Sequence, residues 1–286
     1  MIQKCLVAVS GGVDSVALLD MLVKQGAYEL LVAHFDHGIR QDSQGDARFV
    51  EALAKKYSLP FFTKREELGP HASEEEARGQ RYSFLRHVAK EQGAIIATAH
   101  HADDIVETVA INIIRGTGWR GLAVMGAKDI IRPLSTLRKS EIYAYALENR
   151  LEWVEDDTNA TDKYLRNRVR SQIARLVDDG TKQQLLELWK AQAVCRQEIE
   201  GEAIRTLSAA HHSRYFFTCI DSNVALELLR RRIYADLGVT LLTSQLERGL
   251  LAIKVALPGS IVQLGRGVEL SFSRESFVAL QSEKML

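Results

Sequence analysis

An apolar run, Lys4–Val9, leads directly into Ser10-Gly11-Gly12-Val13-Asp14-Ser15, and apolar residues at helical spacing follow through Val23. This strand–turn–helix junction constrains the fold more than any other stretch of the chain. Two glycines allow a tight turn in which successive backbone N–H groups face one point. The helix N-terminus adds partial positive charge at the same place, and Ser10 and Ser15 add hydroxyl donors. The result is an anion cradle at the end of a buried strand, formed by Ser10, Gly11, Gly12, Val13, Asp14 and Ser15. No lysine follows the glycines, so the loop is not a Walker A loop. Asp14 beside a phosphate calls for a divalent cation between them, which makes it a candidate metal ligand.

The junction repeats as a pattern. Strand-like runs at Leu30–Phe35, Phe61–Thr63, Ala94–Ala99 and Ile130–Leu134 alternate with helical stretches at Asp46–Tyr57, from Ser73 through Val88, and at Asp103–Arg115. This βαβα order predicts an α/β fold, a Rossmann-like parallel sheet with helices on both faces. Ligands of such sheets bind at the carboxyl ends of strands. After about residue 165 the pattern turns helical, with a long helix expected over Lys182–Leu207. A small α+β unit follows, with helices at Val224–Leu237 and Thr243–Lys254 and strands at Ile261–Leu264 and Val268–Phe272. The expected division is 1–180 for the nucleotide domain, 181–208 for a helical linker and 209–286 for the small unit.

Composition narrows the class. The 286 residues hold 37 Lys+Arg and 37 Asp+Glu, a net charge of zero that argues against coating nucleic acid by bulk charge but leaves local patches open. Three scattered cysteines, Cys5, Cys195 and Cys219, form no C-x-x-C and suit a reducing cytoplasm. Met1–Ser10 is too short and too quickly interrupted for a signal peptide, and no apolar run reaches the roughly 18 residues of a membrane span. Gly116-Thr117-Gly118-Trp119-Arg120-Gly121 matches G-x-G-x-x-G, but it follows a helix instead of a strand, which rejects a nicotinamide fingerprint.

Four further segments carry chemistry. His34-Phe35-Asp36-His37 ends the second strand, where His34, Asp36 and His37 can meet a nucleotide lying beside the phosphate loop. In Glu74-Glu75-Glu76-Ala77-Arg78-Gly79-Gln80-Arg81-Tyr82, Arg78 and Tyr82 share a helix face; the segment also reads as a solvated helix with local ion pairs. His100-His101-Ala102-Asp103-Asp104 follows an apolar strand, and Asp104 and Glu107, three apart, lie on one helix face. Clustered carboxylates at a strand end need a cation, either a metal or an ammonium group. Finally, Glu155-Asp156-Asp157-Thr158-Asn159 precedes Arg166-Asn167-x-x-Arg170, with Arg138 and Lys139 upstream; such groups can bind phosphate or stabilise a departing pyrophosphate.

The loop S-G-G-V-D-S resembles the phosphate loop of the N-type ATP pyrophosphatases, which cleave ATP between the α and β phosphates. The four further segments resemble, in order, those of the tRNA(Ile)-lysidine synthetase family. The resemblance runs from residue 4 to about 175. It implies ATP and Mg²⁺ as cofactors, with the phosphate loop and His34, Asp36 and His37 holding ATP. It implies free L-lysine held by Asp104 and Glu107, and metal contacts through Asp14 and Asp104. Asp14, Asp104, Arg78, Arg166 and Arg170 are its implied catalytic residues, with Arg81 the alternative to Arg78. The implied partner is tRNA(Ile) with a CAU anticodon, bound partly through the small unit. A cytoplasmic location without membrane contact is expected, and a homodimer is an open option. A tRNA thiolase of the same superfamily would use paired or cluster-bound cysteines, which the sparse cysteine pattern does not favour.

Overall fold

The computed structural model describes residues 2–38, 43–67, 74–127, 129–155, 172–173, 177–209 and 212–282. Five strands form the first sheet: β1 (Lys4–Ala8), β2 (Glu29–Asp36), β3 (Phe61–Arg65), β4 (Ala94–Ala97) and β5 (Ile130–Ile131). All neighbours run parallel, in the order β3-β2-β1-β4-β5. The chain winds outward from β1 through β2 to β3, then returns to place β4 on the other side of β1. That reversal creates a switch point between β1 and β4, where their carboxyl ends open a crevice.

Among the described residues, six helices connect and cover this sheet: α1 (Val13–Gln25), α2 (Ser43–Lys56), α3 (Glu74–Gln92), α4 (Ala102–Ile114), the short α5 (Trp119–Leu122) and α6 (Lys139–Glu148). Side chains alternate across β1, so each face needs its own cover. Cys5, Val7 and Val9 pack with Val16 and Leu19 of α1, Val50 of α2 and Ile142 of α6. On the other face Leu6, Leu31 and Phe35 pack with Tyr82, Leu85 and Val88 of α3. The apolar stripe of α4, Ile105, Val106 and Val109, meets Leu186 of α7 (Asp179–Ala209). Trp189 on α7 donates its indole N–H to the Val124 carbonyl at 3.0 Å.

Chain contacts divide the protein into two compact units, residues 1–193 and 194–286. The second unit holds α8 (Arg214–Cys219), α9 (Ser222–Leu237) and α10 (Thr243–Val255) with an antiparallel sheet β6-β7-β8, at Ile261–Gly265, Val268–Phe272 and Phe277–Gln281. Its core centres on Phe217, Leu229, Ile253, Leu270 and Phe277. Asp221 starts α9 by accepting from the Asn223 and Val224 N–H groups, and Gly238, at φ 68°, ends it.

Three local elements differ from the sequence reading. The strand expected over Ile130–Leu134 stops at Ile131, because Pro133 lacks an N–H for the ladder and instead opens a 3-10 turn over Pro133–Thr136. Helix α6 was not expected; only Ile142 and Ala146 are buried in it, so its periodic signal is faint. Strand β8 was also missed, although Phe277 and Ala279 alternate inward.

Candidate active site

The phosphate loop lies at the carboxyl end of β1, against the N-terminus of α1. Gly11 adopts φ 98°, a left-handed conformation that favours glycine. The loop is tied internally: Ser15 Oγ donates to the Gly12 carbonyl at 2.9 Å and accepts from the Ser10 N–H at 3.1 Å, and the two serine hydroxyls lie 3.2 Å apart. Val154 N–H donates to the Gly11 carbonyl at 3.0 Å, which fixes the turn from outside. At the start of α1 the Ser15 and Val16 N–H groups both donate to the Gly12 carbonyl at 3.1 Å, which leaves the N–H groups of Val13 and Asp14, ahead of that first helical bond, as the ones an anion can meet.

Across the switch point, β4 ends and α4 begins with a compact charged group. His101 is buried, and its ring is approached by three carboxylates: Asp104 at 3.5 Å, Asp103 at 3.7 Å and Asp14 at 4.0 Å. Asp104 also accepts from the His101 backbone N–H at 3.1 Å, capping α4. Glu107, one turn further on, is buried. Lys139, the first residue of α6, reaches Asp14 with its ammonium, 2.7 Å from Oδ1 and 2.6 Å from Oδ2. Its backbone N–H donates to Asp103 at 2.8 Å. The N-termini of α1, α4 and α6 thus meet around Asp14 and His101.

A second, cationic side faces the same crevice from α3. Arg78 and Arg81 flank Tyr82, with their guanidinium carbons 4.8 and 5.4 Å from its ring centre, and Arg78 also reaches the Tyr82 hydroxyl at 3.4 Å. Arg132 is held by the Met125 carbonyl at 2.6 Å. Burial, offset in part by Asp104 and reinforced by Arg78, Arg132 and Arg81, pushes His100 down to about 3, so its imidazole is neutral at neutral pH. His37 is lowered by burial and by Arg81. The buried Nδ1 atoms of His37 and His101 have no hydrogen-bond partner.

A family model for the PP-loop domain matches residues 2–177. The chain belongs to the PP-loop family. Among curated relatives, the tRNA(Ile)-lysidine synthase of Thermotoga maritima is 41% identical over 189 residues, 62% of this chain and 46% of the relative. That of Thermosipho africanus is 32% identical over 259 residues, 82% of this chain and 59% of the relative. The chain therefore spans about half the length of the curated relatives it matches. A solved U34-tRNA thiolase from Methanococcus maripaludis shares the fold, with a TM-score of 0.58 and 18% identity over 67% of this chain and 72% of that one.

Within this PP-loop unit the structure brings together Ser10–Ser15, Asp14 and Asp104 around His101. His34 is buried, with Nδ1 2.9 Å from the Val9 carbonyl, so that nitrogen supports the strand end leading into the loop. Asp36 accepts from the Gly38 N–H at 2.9 Å and lies 3.5 Å from Arg65. The Gly116–Gly121 segment caps α4: Gly116, at φ 64°, donates to the Ile113 carbonyl, and Thr117 donates to that of Asn112, a helix stop in place of a nucleotide turn. Arg166, Asn167 and Arg170 lie outside the described residues, as do Asp156–Asn159. Sequence reasoning did not single out His101 as the node of the carboxylates, nor Lys139 as the partner of Asp14. The adjacency of His101 to two aspartates was the available signal for the first. Among the described residues, no group of three or more His, Cys, Asp or Glu is arranged to hold a metal ion, and no helix is long and apolar enough to cross a membrane.

Proposed function

We propose that this protein ligates free L-lysine to C2 of the wobble cytidine in the CAU anticodon of tRNA(Ile), converting ATP to AMP and pyrophosphate. The observation that carries this reading is the junction of the phosphate loop with the carboxylate-bearing N-terminus of α4. It occurs in a PP-loop chain 41% identical to a tRNA(Ile)-lysidine synthase.

The chemistry has two steps. The C2 carbonyl oxygen of the cytidine attacks the α phosphorus; the bond from that phosphorus to the bridging oxygen breaks, and pyrophosphate leaves with the electron pair. The activated C2 then accepts the lysine amine, its bond to oxygen breaks, and AMP leaves. The loop amides and the Ser10 and Ser15 hydroxyls hold the phosphates. Arg78, with Arg166 and Arg170, meets the developing negative charge. Asp104 and the buried Glu107 hold the lysine ammonium, and Asp104 takes the proton that the attacking amine must lose. The carboxylates of Asp14 and Asp104 suit Mg²⁺, which would neutralise phosphate charge when bound. His34, Asp36 and His37 line the nucleoside side. The small unit, 209–286 in a division that gives 1–180 to the nucleotide domain and 181–208 to a helical linker, takes part of the tRNA contact, and a reducing cytoplasm is where this chemistry is placed.

The test is incubation with CAU-anticodon tRNA(Ile), ATP and a panel of labelled amino acids. Label should enter tRNA from lysine alone. Transfer from another amino acid, or none from lysine, would refute the assignment.

A further inference from the structure

Asp14 is a carboxylate built into a phosphate cradle, and the cation that meets it is a side chain. The Lys139 ammonium contacts both of its oxygens, at 2.7 and 2.6 Å. The root of that lysine is fixed, because its backbone N–H is bonded to Asp103 at 2.8 Å and it begins α6. Its side chain is not fixed in the same way: it is 47% exposed, against 27% for Asp14. A four-carbon stem with a compact charge can swing without moving the backbone. An exposed pair of this kind is also weak and easily exchanged.

A polyphosphate entering the cradle presents more negative charge than one carboxylate, and Asp14 would repel it unless a cation intervenes. We propose that Lys139 is a further catalytic residue that exchanges partners, neutralising Asp14 in the free protein and moving onto the pyrophosphate end of ATP when the nucleotide binds. Asp14 is then released to a divalent ion carried in with the phosphates. As the bond from the α phosphorus breaks, the electron pair passes to the bridging oxygen of pyrophosphate, where the ammonium stands. The inference rests on the ATP-cleaving reading above, and it adds a role for a residue that this reading leaves unused.

Calorimetric titration of ATP into the protein, once with Mg²⁺ and once with EDTA, tests it. Lys139→Met should weaken ATP binding in EDTA by about tenfold or more, the loss of one charge-assisted contact. In Mg²⁺ the loss should be smaller, and half-saturation should need less Mg²⁺, because Asp14 no longer holds an ammonium. Lys139→Arg should restore much of the metal-free binding. Unchanged affinity in Lys139→Met, or an equal loss with and without Mg²⁺, would overturn the exchange while leaving the ATP reading intact. Failure of the unaltered protein to bind ATP in either condition would overturn that reading, and the proposal with it. Thermal unfolding of each variant separates these outcomes from misfolding.

Discussion

Helix α1 carries two aspartates, both paired with lysine, and they live in different surroundings. Asp20 is buried and saturated: it accepts from the Tyr57 hydroxyl at 2.7 Å, from the Tyr145 hydroxyl at 2.6 Å, and lies 2.8 Å from the Lys24 ammonium. Those partners sit just beyond α2, on α6 and on α1 itself, so Asp20 ties that corner of the sheet cover together. Asp14, less than two turns earlier, lies in the open crevice with Lys139 on its carboxylate. Burial with a full set of donors makes a scaffold; partial exposure with an exchangeable cation makes a site. One helix therefore anchors the framework at one end and presents chemistry at the other.

The widest separation should come from Asp20→Ala. It removes the acceptor shared by two half-buried tyrosine hydroxyls, and we expect a loss of about 2 kcal/mol in urea unfolding. A loss below about 0.5 kcal/mol, the range of an ordinary surface change, would remove the distinction between the two aspartates.

Acid offers a second way to sharpen the contrast. Burial alone would raise the Asp20 carboxyl, but hydrogen bonds from Lys24, Tyr145 and Tyr57 outweigh it and hold the group below the usual carboxylate range. A group lowered in the folded state contributes stability above its unfolded pKa of about 3.9 and loses it as pH falls through the folded value. The gap between wild type and Asp20→Ala should hold steady from pH 7 to about 5 and narrow below about 4. A gap that grows in acid would contradict the assigned hydrogen bonds.

How much of this was legible in the chain follows from the range of each interaction. The parallel sheet was readable because its inner strands contain short apolar runs such as Leu30–Ala33 and Ala94–Ala97. The phosphate loop and the α4 carboxylates were readable because each is one contiguous segment. Lys139 was readable as a phosphate-binding cation, but its pairing with Asp14 was not: the two are 125 positions apart, and α6 gives no strong periodic signal. Tyr57 and Tyr145, 37 and 125 positions from Asp20, were hidden for the same reason. Local pattern reveals elements and loops, whereas the pairing of charges across them depends on the fold.

The smallest expected change in stability belongs to Asp14→Asn, within about 1 kcal/mol, since its ion pair is partly exposed. That mild variant also gives the most direct test of the central claim, that the crevice between β1 and β4 cleaves ATP. The measurement is chromatographic analysis of ATP products in the presence of CAU-anticodon tRNA(Ile) and lysine, for wild type and Asp14→Asn at matched stability. The account predicts AMP and pyrophosphate from wild type and almost none from Asp14→Asn. ADP and inorganic phosphate as the products, or undiminished turnover in Asp14→Asn, would contradict it.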